Sequence, residues 1–397
     1  MTTTNTDTTR HAGREAWVDW MRVAACLMVF VVHSTEPFYL GGEGALVLTP
    51  SDAVWAAVFD TAVRSCVPLF IIASSYLLFP LRYTAAEFVR RRAARLLAPF
   101  LIWTAVYALV WGDPATNFRD LLFNFNYASG HLWFVYMLVG IYAIMPMLSP
   151  WAERVGRREL EAYMAICLLT TTFPLLRDWL AGGEVHVIYG TSGLPRQAVF
   201  PLWGECSWNA YGVFYYLSGF MGYALLGLYV RRFLGVWSWR RTLAVALPLY
   251  AAGFAVTFGG FLRRVLATAG GVFPVGGAVD KAVWWETTWT NDTIGVALMA
   301  VAWILLLRKC SSTGRVYHSL LVPVANASYG MYLAHLLVLV PVSSALRAWL
   351  GTGADGTLGL WTTPVEITLA AITAFVIVAV AAVALRRIPR LGRYIIG

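Results

Sequence analysis

Apolar stretches of about 18–25 residues recur along this chain, each long enough to cross the hydrocarbon core of a bilayer as a helix. Ten are legible, near 17–39, 53–79, 94–112, 131–149, 160–180, 208–230, 241–259, 288–307, 317–343 and 364–386. A soluble core has no use for so many, and the composition agrees: 59% of the 397 residues are hydrophobic and only 13% are charged. In lipid every backbone polar group needs a partner within its own segment, which excludes an open sheet and leaves helix. The expectation is an all-α, polytopic integral membrane protein with about ten transmembrane helices. A polar N-terminal tail (1–16) and a basic C-terminal tail (387–397) flank one membrane domain (17–386).

Basic residues divide unevenly between the two alternating sets of connecting segments. Segments 10–14, 82–95, 154–158, 231–241, 308–315 and 386–393 carry 21 Lys and Arg, whereas 112–130, 177–207, 260–287 and 344–363 carry seven. The positive-inside rule then places both termini in the cytoplasm. The same bias accounts for the net charge of +9 without a nucleic-acid partner, and it suits an anionic lipid surface. Arg outnumbers Lys 28 to two, a composition expected of a GC-rich genome, so the expected location is a bacterial inner (cytoplasmic) membrane.

Cysteine suggests neither a disulfide framework nor a thiolate metal site, because Cys26, Cys66, Cys167, Cys206 and Cys310 form no CxxC pair and are odd in number. The first 16 residues lack the apolar core of a cleavable signal peptide. No HExxH-type spacing is present, so no metal cofactor is expected, and no serine in a GxSxG elbow is apparent.

Ionisable residues inside spans are the functional clues, since each costs roughly 2.5–3.5 kcal/mol on insertion scales. Arg22 and His33 share the first span with Glu36 one turn further on. Eleven residues at 100° each return Arg22 and His33 to within about 20° of one face, on the order of 16 Å apart. Arg92 and Arg95 share a face at the start of the third span, where helix N–H groups favour an anion, although the positive-inside rule alone also explains a basic run there. Tyr332 and His335 share a face of the ninth span, as a packed pair or a catalytic one. His131 and Trp133 open the fourth span, where an aromatic belt is the default and a contact to an acceptor the alternative. Outer loops hold Trp203, Glu205, Trp208, Trp284, Trp285, Glu286 and Trp289, with Asn291 and Asp292 just inside the eighth span. That mixture suits either an interfacial belt or a carbohydrate platform, and Asp292 stands out as an acid within hydrocarbon.

Taken in order, Arg-X10-His, Arg-X-X-Arg, His-Leu-Trp-Phe and Ser-Tyr-Gly-Met-Tyr-Leu-Ala-His resemble the membrane acyltransferase-3 family over essentially the whole chain. Asp19, three residues before Arg22, fits the same opening pattern. The resemblance is to stand-alone members, without an appended esterase-like domain. It implies transfer of an acyl group, usually acetyl, from cytoplasmic acyl-CoA to a hydroxyl of an envelope carbohydrate or lipid-linked saccharide, with no permanently bound cofactor.

On that expectation Arg92 and Arg95 bind the donor phosphates, and His33 is the general base on the acceptor hydroxyl and then the acid toward the thiolate. Glu36 orients the imidazole or binds the acceptor. His131, Trp133, Asp292, Tyr332 and His335 are candidates for acceptor binding or support. Arg22 stabilises an oxyanion, positions the donor, or pairs with Asp19. A transporter or flippase of a lipid-linked saccharide would share the helix count and the basic rim. It would have no need of Arg-X-X-Arg together with a deep histidine.

Overall fold

The computed structural model describes residues 14–41, 44–45, 47, 49–123, 127–180, 211–275, 282–350, 362–389 and 391–397. Apart from a two-residue antiparallel pair, Leu40–Gly41 with Gly44–Ala45, the described elements are helical. In chain order they are α1 (Ala16–Thr35), α2 (Pro50–Val63), α3 (Cys66–Leu78), α4 (Ala85–Arg92), α5 (Ala98–Val110), α6 (Pro114–Phe123), α7 (Trp133–Arg154) and α8 (Arg157–Thr170). There follow α9 (Phe173–Leu180), α10 (Met221–Arg232), α11 (Trp239–Thr268), α12 (Ile294–Leu307), α13 (Val322–Leu350), α14 (Thr362–Arg386) and α15 (Leu391–Ile395). The chain is a polytopic all-α membrane protein.

Among the described residues, eight helical stretches are long and apolar enough to span: Ala16–Phe38, Pro50–Leu78, Ala85–Val110, Ser129–Arg154, Arg157–Leu176, Trp239–Thr268, Tyr317–Leu350 and Thr362–Arg386. The other two expected spans appear as shorter helices, α10 with 12 residues and α12 with 14. Fourteen residues rise only about 21 Å against a core of roughly 30 Å. Each shortening has a local cause. Gly219 adopts φ +67° and separates a 3-10 turn at Gly212–Leu217 from α10. Before α12, Thr293 Oγ1 donates to the carbonyls of Thr290 (2.8 Å) and Thr288 (3.1 Å), so side chains compete with the helical ladder.

The first helix is the centre of the bundle, packed against α2, α3, α13 and α14. Where no hydrophobic force separates helix from lipid, close approach depends on small residues. Gly227 of α10 therefore abuts Ser75 and the Ile72 carbonyl of α3, and Gly253 of α11 abuts Gly295 of α12. Ser75 Oγ adds a hydrogen bond of 2.5 Å to the Ala224 carbonyl.

Basic side chains at the Arg-rich end satisfy carbonyls at the ends of α3 and α7 and in the α10–α11 connection. Arg231 donates to Tyr76 O (3.1 Å) and Phe79 O (3.3 Å), Arg232 to Ala152 O (2.5 Å), Arg308 to Leu234 O (2.5 Å) and Lys309 to Trp237 O (2.5 Å). These cations are committed to backbone carbonyls of neighbouring segments.

Candidate active site

The last turn of α1 runs into a 3-10 turn at Glu36–Phe38, with Pro37 inside it, and this brings Glu36 back under His33. His33 Nδ1 lies 2.6 Å from Glu36 Oε1. An ionised carboxylate only accepts, so Nδ1 carries the hydrogen and Nε2 keeps its lone pair. His335 is fixed in the same tautomer, since its Nδ1 is 2.5 Å from the Tyr332 carbonyl. Its ring centroid is 4.8 Å from that of His33 and 5.2 Å from that of His131. Three histidines from three distant segments thus form one cluster. Tyr107 packs edge-on to His131 at 4.5 Å, and Tyr332 Oη donates to the His131 carbonyl at 2.9 Å. The Nε2 atoms of His131 and His335 are buried without a hydrogen-bond partner among the described residues.

Two cavities flank this cluster. The outer one, about 280 Å³, is lined by His33, Glu36, His131 and Trp133 together with Tyr39, Arg64, Glu286 and Asn291. Tyr39 Oη donates to Glu286 Oε1 at 2.8 Å. Burial pushes the Glu286 carboxyl above its ordinary value, with the Arg64 charge acting the other way. Arg64 pairs with the fully buried Asp60 and lies 4.8 Å over the Trp289 ring, while Thr35 Oγ1 donates to Asp60 at 2.8 Å. Sequence reasoning passed over Asp60 and gave Arg64 no role. Their i, i+4 spacing within an apolar span was the available signal.

The inner cavity, about 740 Å³, opens toward the Arg-rich end and is lined by Arg22, Arg92, Arg95 and Arg386 among the tyrosines and serines of α3, α7 and α13. Arg95 sits in a π-helical turn, Ala93–Leu97, that joins α4 to α5. Such turns re-aim side chains relative to a regular helix. Among its described lining residues there is no acidic side chain. Arg22 does not pair with Asp19. That carboxylate is taken by Arg14 at 2.5 and 2.9 Å and by Tyr317 Oη at 2.7 Å, leaving Arg22 to the inner cavity, apart from His33. Arg91 is held by Glu87, whereas Arg92 Nε is buried with no partner among the described residues.

Phe134 and Tyr332 line both cavities and form the partition between them. Asp292 is placed elsewhere: its carboxylate accepts from Tyr211 at 2.8 Å, and its neighbour Asn291 lines the outer cavity instead. Trp285 and Trp289 serve packing. Trp289 stacks on Phe261 at 3.7 Å and donates to Thr61 at 3.0 Å, and Trp285 donates to Thr268 at 2.9 Å. Trp203, Glu205, Cys206, Trp208 and the Trp284 side chain lie outside the described residues.

Compared with known families, residues 15–384 match a family model described as an acyltransferase domain. The chain belongs to the acyltransferase-3 family. Family membership decides between the two classes that helix count and buried charge left open, and makes the protein an acyltransferase. Neither a curated protein nor a solved structure matched. The family match takes in the three histidines, Glu36, Arg22, Arg92 and Arg95, and it ends before Arg386 and α15.

Proposed function

We propose that this acyltransferase moves an acyl group, acetyl in the simplest case, from acyl-CoA in the inner cavity to a hydroxyl of an acceptor in the outer cavity. The observation that carries this reading is the partition. An arginine-lined chamber suited to phosphates and a histidine–carboxylate chamber suited to a hydroxyl meet at Phe134 and Tyr332. Guanidinium forks bind phosphate bidentately, so Arg92, Arg95 and Arg22 hold the donor's anionic end. Its pantetheine arm then passes the partition and presents the thioester below His33.

Transfer is direct. His33 Nε2 takes the proton of the acceptor hydroxyl as the oxygen attacks the thioester carbonyl, with Glu36 stabilising the imidazolium through Nδ1. The tetrahedral intermediate expels the thiolate, the C–S bond breaks, and the proton held on His33 passes to sulfur. The products are the acyl ester and free CoA. In the outer cavity, Glu286, Asn291 and Tyr39 beside Trp133 supply hydrogen-bonding groups around an aromatic face, which favours a polyhydroxylated acceptor such as a saccharide. The basic residues at the inner-cavity end support entry of the donor from the cytoplasm.

The test is thioester cleavage of acetyl-CoA by purified protein in nanodiscs, wild type against His33→Ala. CoA release that depends on His33, with donor binding retained in the variant, is expected. Release that is indifferent to His33 overturns the assignment of the base.

A further inference from the structure

Arg386 ends α14 just past the family-matched residues 15–384, yet its side chain shares the inner cavity with Arg22, Arg92 and Arg95. The four guanidinium groups come from three directions: α1, the α4–α5 helix and α14. Arg386 makes no ion pair or hydrogen bond to protein among the described residues, unlike Arg231 and Arg308, which donate to backbone carbonyls. Its place is nevertheless fixed. The short α15 packs on both α14 and α5, so it ties the end of the helix bearing Arg386 to the helix that follows Arg92 and Arg95. Trp103 Nε1 donates to the Ile395 carbonyl at 2.8 Å, and Ile396 is buried against Gly330, where no Cβ would fit.

The chemistry of an acyl-CoA divides its phosphates into two kinds. A diphosphate lies along the arm, and a 3′-phosphomonoester hangs from the ribose at the end farthest from the thioester. The monoester carries about −1.5 to −2 charge at neutral pH and three acceptor oxygens. Arg92 and Arg95, one turn apart, with Arg22 deeper in the chamber, suit the diphosphate. Arg386 is exposed on a separate helix, in the position expected of a contact to the outermost phosphate. We propose that Arg386 binds the 3′-phosphate of the donor and makes the protein discriminate CoA from 3′-dephospho-CoA. This rests on the acyl-CoA reading above and goes beyond it to a residue outside the family match.

Binding of CoA and of 3′-dephospho-CoA is measured by calorimetry on the full chain in nanodiscs, for wild type, Arg386→Ala and Arg387→Ala. Wild type should bind CoA about tenfold more tightly than 3′-dephospho-CoA, the value of one charge-assisted contact of roughly 1.4 kcal/mol. Arg386→Ala should bring CoA down to the affinity of 3′-dephospho-CoA and leave the latter unchanged, which also shows that the variant is folded. Arg387→Ala, exposed and not lining the cavity, should keep the wild-type ratio. The proposal is overturned by discrimination that survives in Arg386→Ala, by equal weakening of both ligands, or by a wild type that binds both alike. A wild type that binds neither ligand overturns the acyl-CoA reading itself.

Discussion

Phe134 packs edge to face against Tyr332, their ring centroids 5.6 Å apart, and both side chains face the inner and the outer cavity. The pair is held from outside by the hydrogen bond of Tyr332 Oη to the His131 carbonyl. Phe134→Ala removes half of this partition and lets water from the inner cavity reach the thioester that the partition would otherwise shield. Acceptor-independent hydrolysis of acetyl-CoA should rise on the order of tenfold, about 1.4 kcal/mol of barrier. Free-thiol release without any acceptor measures it, and an unchanged or lower rate would show that the rings do not separate donor from water.

Glu36→Gln keeps a hydrogen-bond acceptor beside His33 Nδ1 but removes the charge that stabilises the imidazolium. A fall in kcat on the order of 10² is expected, with donor Kd unchanged, because general-base catalysis contributes about that much. As the proposed base, His33 has to be neutral to accept the proton, so kcat in wild type should fall as pH drops through its pKa. A flat profile from about pH 5 to 8, with chemistry rate-limiting, would remove His33 from the role of base.

His335 touches His33 without a hydrogen bond between them, and its own Nε2 has no hydrogen-bond partner among the described residues. Its effect should therefore be on the placement of the base. His335→Gln should lower kcat about tenfold, near 1.4 kcal/mol, while leaving CoA affinity intact. Steady-state kinetics with a parallel binding isotherm separates the two, and a loss confined to binding would contradict the assignment.

Asp60 and Arg64 are a buried pair, so removing one partner strands the other. Asp60→Ala should cost about 3–5 kcal/mol of stability, and Asp60→Leu combined with Arg64→Leu should recover most of it. Thermal unfolding in detergent reads both. A double variant as unstable as the single one would mean that the pair is not what makes Asp60 necessary.

Gly253 lies where α11 meets the Gly295 carbonyl of α12, a contact between backbones that no rotamer change relieves. Gly253→Ala should lower stability by about 1–3 kcal/mol through separation of the two helices. The midpoint of thermal unfolding is the measurement, with the exposed Gly259→Ala as a control, since nothing lies near its Cβ position.

How much of this was legible before the fold was known depended on what each signal required. Arg22, His33 and Glu36 were visible because helical period alone puts them on one stripe, and their cost in lipid marks them out. The same argument applied to Asp60 and Arg64 but was not followed there. The convergence of residues 33, 131 and 335 was not legible, since it is set by the packing of helices far apart in sequence. Asp19 shows a different limit: spacing favoured Arg22 three residues on, but Arg14, just before the helix, reaches back to take the carboxylate. The shortness of α10 and α12 escaped hydropathy because Gly219 and the threonines before α12 act through backbone geometry.

Arg22 and His33 belong to one unbroken helix, yet open into different cavities. The interval between them is therefore written in covalent geometry, and breathing of α4, α13 or α14 against α1 leaves it unaltered. In this sense α1 is a calliper. On the proposed acyl-CoA reading it gauges the length of the donor's arm, keeping the register of thioester and base whatever the neighbouring helices do.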